Sequence, residues 1–300
     1  MNRHFWLRAA AAVSVITASS ITALPTGCAG TTGGKRFSFD AKIGGIARDR
    51  VGPFTFVNER GWTITLTKAD VTLGPVYLNI VTPLSGGQET SGQETFLNYF
   101  VKKAYASGDD HLEGGRVVGE VLAQVKFSAL SSDLVTFPSQ GTISEEPVRT
   151  TDLWFYPAPG VSPDTTKIDT VALDVAGTAS QGSTTLRFRG ALILNDAWLS
   201  ESTSATQANQ SIASIRRLRG IASSFLPKEG GALEVRVDVR ALFRGADFSN
   251  LELNPSDADG TKVLVQSKTG KVTTDQVMTN LYQGLRSSTG TFTVRWVPKT

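Results

Sequence analysis

Four side chains able to hold a proton or a divalent cation fall within five residues of the stretch YASGDDHLEGGRVVGE: Asp109, Asp110, His111 and Glu113. Carboxylate oxygens with one imidazole suit a divalent metal, and the flanking Gly108, Gly114 and Gly115 would let a loop wrap an ion. Adjacent acids, however, point in different directions and repel one another without a cation. The spacing therefore favours a polar surface loop ahead of a strand RVVGEVLAQVKF, with a metal site as the alternative. A second oxygen-rich stretch, NPSDADGTKVLVQ, places Asp257, Asp259 and Gly260 in phase with a calcium loop. Pro255 stands where the first acidic ligand belongs and Gln266 replaces the closing Glu, so an Asp-Gly turn into a strand TKVLVQS is the better reading.

Other chemistry is limited by what the chain contains. There are two histidines, His4 and His111, and one cysteine, Cys28. A Ser-His-Asp arrangement would have to use His111, and no G-x-S-x-G elbow accompanies it. The P-loop, the G-x-G-x-x-G turn and the H-E-x-x-H helix are also missing. A carboxylate-based hydrolase needs only two facing acids and stays open as an alternative. The run Trp154, Phe155, Tyr156 could stack on the ring faces of a carbohydrate, although packing is the preferred reading; Trp62 alternates with core positions and is read as core.

The remaining reactive group is the Cys28 thiol, and its surroundings give it a role. MNRHFWLR carries Arg3 and Arg8 without an acid, AAAAVSVITASSITAL runs apolar or small without a charge, and TGCAG closes with small residues. The uncharged run is shorter than the roughly 20 residues a spanning helix needs, so it reads as a cleaved secretory signal. The alternative is ordinary signal cleavage near Ala23 that leaves Cys28 as a chance thiol, but an exported protein rarely keeps one unpaired cysteine. The segment resembles the lipobox of bacterial lipoproteins, with Thr26 and Gly27 at the small positions before Cys28. It departs at Pro25, because the expected leucine sits one place upstream at Leu24. The resemblance implies diacylation of Cys28, cleavage before it and acylation of the new amino group. Ala29, rather than Asp, in the next position points by the same analogy to the outer membrane over the inner.

This reading divides the chain into a signal peptide, 1–27, a lipidated Cys28 with a flexible Gly/Thr tether, 28–36, and a β-rich body, 37–300, as one domain or two sub-domains. The formal charge of +3 includes Arg3 and Arg8; without them 28 basic residues face 27 acidic ones. A nearly neutral body implies no nucleic-acid partner. The dense basic run RRLRG at 216–220 reads as a solvated face.

The body is patterned for strands. Trp62, Ile64 and Leu66 alternate with Thr63, Thr65 and Thr67, the period of a half-buried strand. Val71 and Leu73 follow, Gly74-Pro75 breaks the run, and VYLNIV resumes it. VALDVAG, TTLRFRGALIL, TKVLVQS and TFTVRWV repeat the theme between turn residues. In ALEVRVDV, Leu233, Val235, Val237 and Val239 alternate with Glu234, Arg236, Asp238 and Arg240, predicting one strand with a wet face. Two segments have helical spacing: 272–288, with Thr273 and Gln276 as a capping box and Val277, Met278, Leu281, Tyr282 and Leu285 on one side; and 205–226, with Ile212, Ile215, Leu218, Ile221 and Phe225 recurring at three or four. The segment 94–106, with Phe96, Tyr99 and Phe100 inward, is a third candidate helix, its aromatic content keeping a strand open. Many short strands and few helices predict a mainly β fold, a sandwich-like or barrel-like antiparallel domain with a C-terminal helix and one or two further short helices.

The strings GWTITLTKADVTLGPVYL and VDVRALFRGADFSNLE resemble uncharacterised secreted lipoproteins of myxobacterial type, a likeness that implies export and carries no activity. The sequence thus leads to an extracytoplasmic, membrane-anchored envelope protein, periplasmic or surface-exposed. It is expected to act as a non-catalytic binding or structural module with a carbohydrate or protein partner in the envelope. No cofactor is expected beyond the covalent lipid, or a divalent metal if the 109–113 loop binds one.

Overall fold

A computed structural model describes residues 34–46, 53–80, 116–155, 171–195, 198, 215–249, 251, 260–264 and 276–299. Its elements, in chain order, are β1 (Arg36–Gly45), β2 (Phe54–Val57), β3 (Thr63–Leu73), β4 (Val76–Asn79), β5 (Val117–Val121), β6 (Val125–Ser128), β7 (Val135–Thr136), β8 (Gly141–Ser144), β9 (Val148–Trp154), β10 (Val171–Gln181), β11 (Thr184–Ile193), β12 (Arg217–Phe225), β13 (Ala232–Val237), α1 (Val239–Leu242), β14 (Thr261–Leu264), α2 (Gln276–Leu285) and β15 (Phe292–Val297). The fold is mainly β, as the strand patterning predicts.

The strands form two sheets. The first follows the order β12-β9-β4-β5-β8-β1-β13-β15, with β7 paired to β1 off that path. Its end strands β12 and β15 lie against each other, and the Phe225 and Trp296 rings stack there at 6.1 Å between centroids. The sheet is thereby a nearly closed eight-strand barrel. The register puts one set of side chains inside it: Leu78 faces Gly119, Gly119 faces Ile143, Phe37 faces Ile143, Ile43 faces Val235, and Val235 faces Val294. Ile43, Leu78, Ile143 and Val235 are each 0% exposed, and burial on that scale contributes roughly 1.5–3 kcal/mol per large aliphatic side chain. Two glycines make room for the larger residues. A Cβ on Gly141 would lie 2.4 Å from the Phe39 ring, and one on Gly119 would lie 2.6 Å from Ile143.

The second sheet runs β14-β11-β10-β3-β2, with β6 paired to β3 off that path. Its apolar face, including Ile64, Leu66, Val175 and Phe188, is buried. Phe188 lies 5.9 Å from Phe243 beyond α1 and 5.1 Å from Phe248. Its wet face carries Thr63, Thr65 and Thr67, with Thr55 Oγ1 and Thr65 Oγ1 2.9 Å apart across β2 and β3. The apolar positions of β3 change parity after Leu66, from Ile64 and Leu66 to Ala69, Val71 and Leu73. A register shift opposite Ala176 and Gly177 accounts for the change, because one extra residue turns the following side chains over.

Asn58 fastens the β2–β3 turn to the segment after α1. Its Nδ2 donates to the Phe243 carbonyl at 3.0 Å and the Ala246 carbonyl at 2.7 Å. Its Oδ1 accepts from the Arg60 and Trp62 amides, both at 3.0 Å. Every donor and acceptor of this buried amide is used. The chain passes from the second sheet to the barrel between β3 and β4, where Gly74 has φ +125° and the Gly74–Pro75 bond is cis. A Cβ on Gly74 would come within 2.2 Å of the Ala123 carbonyl in the return crossing between β5 and β6.

Several expectations are corrected. The segment 205–226 is not a helix from Ile215 onward. Only Ile215 and Arg216 have helical geometry, and Arg217–Phe225 is a strand. Register shifts between Leu218 and Ile221 and between Ala222 and Phe225 add residues to it. Each bulge turns the two-residue step of a strand into a step of three, and this produces the helix-like spacing. RVVGEVLAQVKF is two strands in different sheets, β5 and β6. ALEVRVDV ends as a strand at Val237, because the Asp238 side chain accepts from the Arg240 amide and caps α1. The sheets are antiparallel except for the parallel pairs β1–β13 and β11–β14. The C-terminal helix is present as α2, with Val277, Met278, Leu281 and Leu285 buried. Tyr282 stacks on Trp198 at 4.1 Å. Thr273 and the 94–106 segment lie outside the described residues.

Candidate functional site

Cys28 and the cluster Asp109, Asp110, His111, Glu113 lie outside the described residues, as do Tyr156, Asp257 and Asp259. Trp154 and Phe155 are 2% and 0% exposed, so these two rings are packed and present no open face to a sugar. Among the described residues, no three His, Cys, Asp or Glu side chains gather as a metal site would require.

Polar groups do converge at two places that sequence reasoning assigned otherwise. The first is on the outer face of the barrel, across β9 and β12. Antiparallel pairing sets Arg217 opposite Trp154 and Asp152 opposite Tyr77 of β4. Arg217 Nη2 donates to Asp152 Oδ2 at 2.5 Å, and the Gly220 amide donates to Asp152 Oδ1 at 3.0 Å. The Arg217 guanidinium also lies 5.1 Å from the centre of the Trp154 ring. Asp152 and Arg217 are 5% and 7% exposed, and the neighbouring Arg216 is 0% exposed with its Nε donating to the Leu194 carbonyl at 3.0 Å. The expectation that RRLRG forms a solvated face is therefore corrected for Arg216 and Arg217. Burial is tolerated because charge-assisted hydrogen bonds and the aromatic face replace water. On the opposite face, inside the barrel, Thr151 Oγ1 and Ser223 Oγ are 2.9 Å apart, and Ser223 Oγ donates to the Ile221 carbonyl at 3.2 Å.

The second convergence is around Glu234 on β13, expected to be wet and found 6% exposed. Arg236 Nε donates to Glu234 Oε1 at 2.8 Å. Arg295 of β15 reaches the same oxygen through Nη2 at 2.6 Å and Nε at 3.1 Å. Arg236 Nη1 further donates to the Gly45 carbonyl at 2.8 Å and to the Ser132 carbonyl, tying the 131–133 loop over the sheet. Burial pushes the Glu234 carboxyl up, but the hydrogen bonds and charges of Arg236 and Arg295 outweigh it and hold the group below its ordinary value. Asp247 is also lowered, by the Ser249 amide and hydroxyl working against burial, with help from the Trp62 indole and Arg60.

Chemically, Glu234 and Asp247 are carboxylates held ionised by fixed donors. A general acid at neutral pH needs the opposite shift, upward toward 7. Both oxygens of Asp152 are already occupied, and Glu234 is clamped between two guanidinium groups. The arrangement suits ion-pair bracing of barrel strands. Comparison of the chain with protein-family models, curated proteins and solved structures finds no match to any of them.

The signals that could have located the two clusters are small. Arg216 and Arg217 stand between Ile215 and Leu218, and Asp152 stands inside TTDLW. A charge embedded in an apolar strand on each of two segments is what a buried pair looks like before the partner is known. Glu234 gives no such signal, because its alternation is indistinguishable from that of a wet face.

Proposed function

We propose that this chain is a lipid-anchored cell-envelope protein whose β body serves as a non-catalytic binding or structural module outside the cytoplasm. The observation that carries the reading is Cys28: the sole thiol in 300 residues, placed directly behind a basic start and a charge-free stretch. Two or more acyl chains would hold such a protein stably, since each buried methylene contributes about 0.8 kcal/mol. Two features of the body support the reading. β1 begins at Arg36, so only a short stretch separates the acylated residue from the folded sheet. Among the described residues, the buried carboxylates Asp152 and Glu234 are both engaged by arginine in bracing the barrel.

The test is metabolic labelling with palmitate in a bacterial host that exports the full chain. Label is expected on the wild type and absent from Cys28→Ser, which should leave the membrane fraction. Equal labelling of the two proteins would reject the assignment.

A further inference from the structure

The strand directions place a defined set of groups at the end of the barrel where the chain enters it. β8 runs antiparallel to β1, and β13 runs parallel to it. The entry point of β1, the exit of β8 and the β12–β13 turn therefore share one rim. The contacts agree. The Glu145 amide donates to the Lys35 carbonyl at 2.9 Å, Lys35 pairs with Glu229, and a Cβ on Gly230 would lie 3.2 Å from Lys299. This rim is basic. Glu229 and Glu146 are taken by Lys35 and Arg116. Among the described residues that leaves Glu145 against Lys228 and Lys299, neither of which has an ion-pair partner. Arg36 does approach Glu120, at 3.8 Å. Leu226 stands 48% exposed directly after β12, two residues before Lys228.

We infer that this rim is a membrane-contact face: Lys228 and Lys299 meet the anionic headgroups of the bilayer that holds the acyl chains, with Leu226 at the headgroup level. The inference rests on the lipid-anchored reading. Its physical basis is reach and charge. Lys35 is seven chain steps beyond Cys28, so even a fully extended connection spans at most about 25 Å. The rim is thus tethered near the surface, and cations that come within a Debye length, about 8 Å at physiological salt, feel its negative potential. The opposite rim has its own exposed leucine, Leu122, 54% exposed after the far end of β5, and supplies a matched control.

Acylation of Cys28 would leave an introduced cysteine as the only free thiol, so the full-length lipidated protein can be spin-labelled as Leu226→Cys or Leu122→Cys. Each is added to preformed phosphatidylcholine vesicles with and without phosphatidylglycerol, and collision with a water-soluble nickel chelate is measured. On anionic vesicles the label at 226 should be roughly threefold or more less accessible than the label at 122. That protection should fall when Lys228→Gln and Lys299→Gln are added or when phosphatidylglycerol is omitted. Equal accessibility at the two positions, protection at 122 instead, or protection indifferent to charge would overturn the inference. Intact mass of the same samples separates the two levels: an unacylated Cys28 defeats the anchor and the inference together, whereas an acylated chain with an aqueous label at 226 defeats the inference alone.

Discussion

Asp152 and Arg217 pair in a place almost without water, and neither can be removed alone without stranding the other. Desolvation makes a buried pair a poor source of net stability, but breaking one costs about 3 kcal/mol because it leaves an uncompensated charge. Asp152→Asn should therefore lower the urea-unfolding free energy by roughly that amount. The double variant Asp152→Leu with Arg217→Met should lose clearly less than the sum of its two single changes. Additive losses would show that the two groups act independently. Glu234 gives a pH signature. The folded protein releases its proton more readily than the unfolded chain, whose carboxyl keeps the ordinary value of 4.5. The stabilisation is then complete above that value and is lost as pH falls through the lowered folded one. Glu234→Gln should be less stable than wild type at pH 7, and the gap in urea midpoint should narrow as the pH is lowered below 4.5. A gap that stays constant across that range would remove the ionised clamp from the account.

The barrel wall depends on small residues as much as large ones. Phe39 is 2% exposed, so its ring has no free space to occupy if Gly141 gains a methyl group 2.4 Å away. Gly141→Ala should cost about 1–3 kcal/mol, the ordinary range for overpacking, read as a lowered midpoint with unchanged urea dependence. An unchanged midpoint would mean the β1–β8 seam is looser than the register implies. The same elements show what residue patterns can and cannot disclose. β3, β10, β11 and β15 are readable because half-buried strands alternate, and α2 because its apolar residues follow the helical period. β12 is not, because two bulges give Leu218, Ile221 and Phe225 the spacing of a helix. The division of RVVGEVLAQVKF between two sheets is invisible for a related reason: alternation reports which face is apolar, and it carries no information about the strand's neighbours. Asp238 is similarly ambiguous, since an alternating acid at the end of a strand looks the same as the cap of a following helix turn.

At the level of the whole molecule, two features belong together. The barrel closes through β12 against β15, whereas the second sheet lays its apolar face on α1 and the residues that follow it. The crossings at Gly74 and Ala123 join the two sheets at one point. The chain enters this assembly from the basic rim, a few residues after Cys28. The lone thiol was visible in the sequence as a residue with no partner and a specific setting. The buried arginines were hidden, because their partners lie on distant strands. The proposed location and role both turn on that thiol. The most direct measurement is the intact mass of the full-length gene product extracted from the membranes of a bacterium that exports it. The account predicts a chain beginning at Cys28 and carrying the added mass of acyl chains. A free sulfhydryl at Cys28, or a chain beginning at another residue, would contradict it.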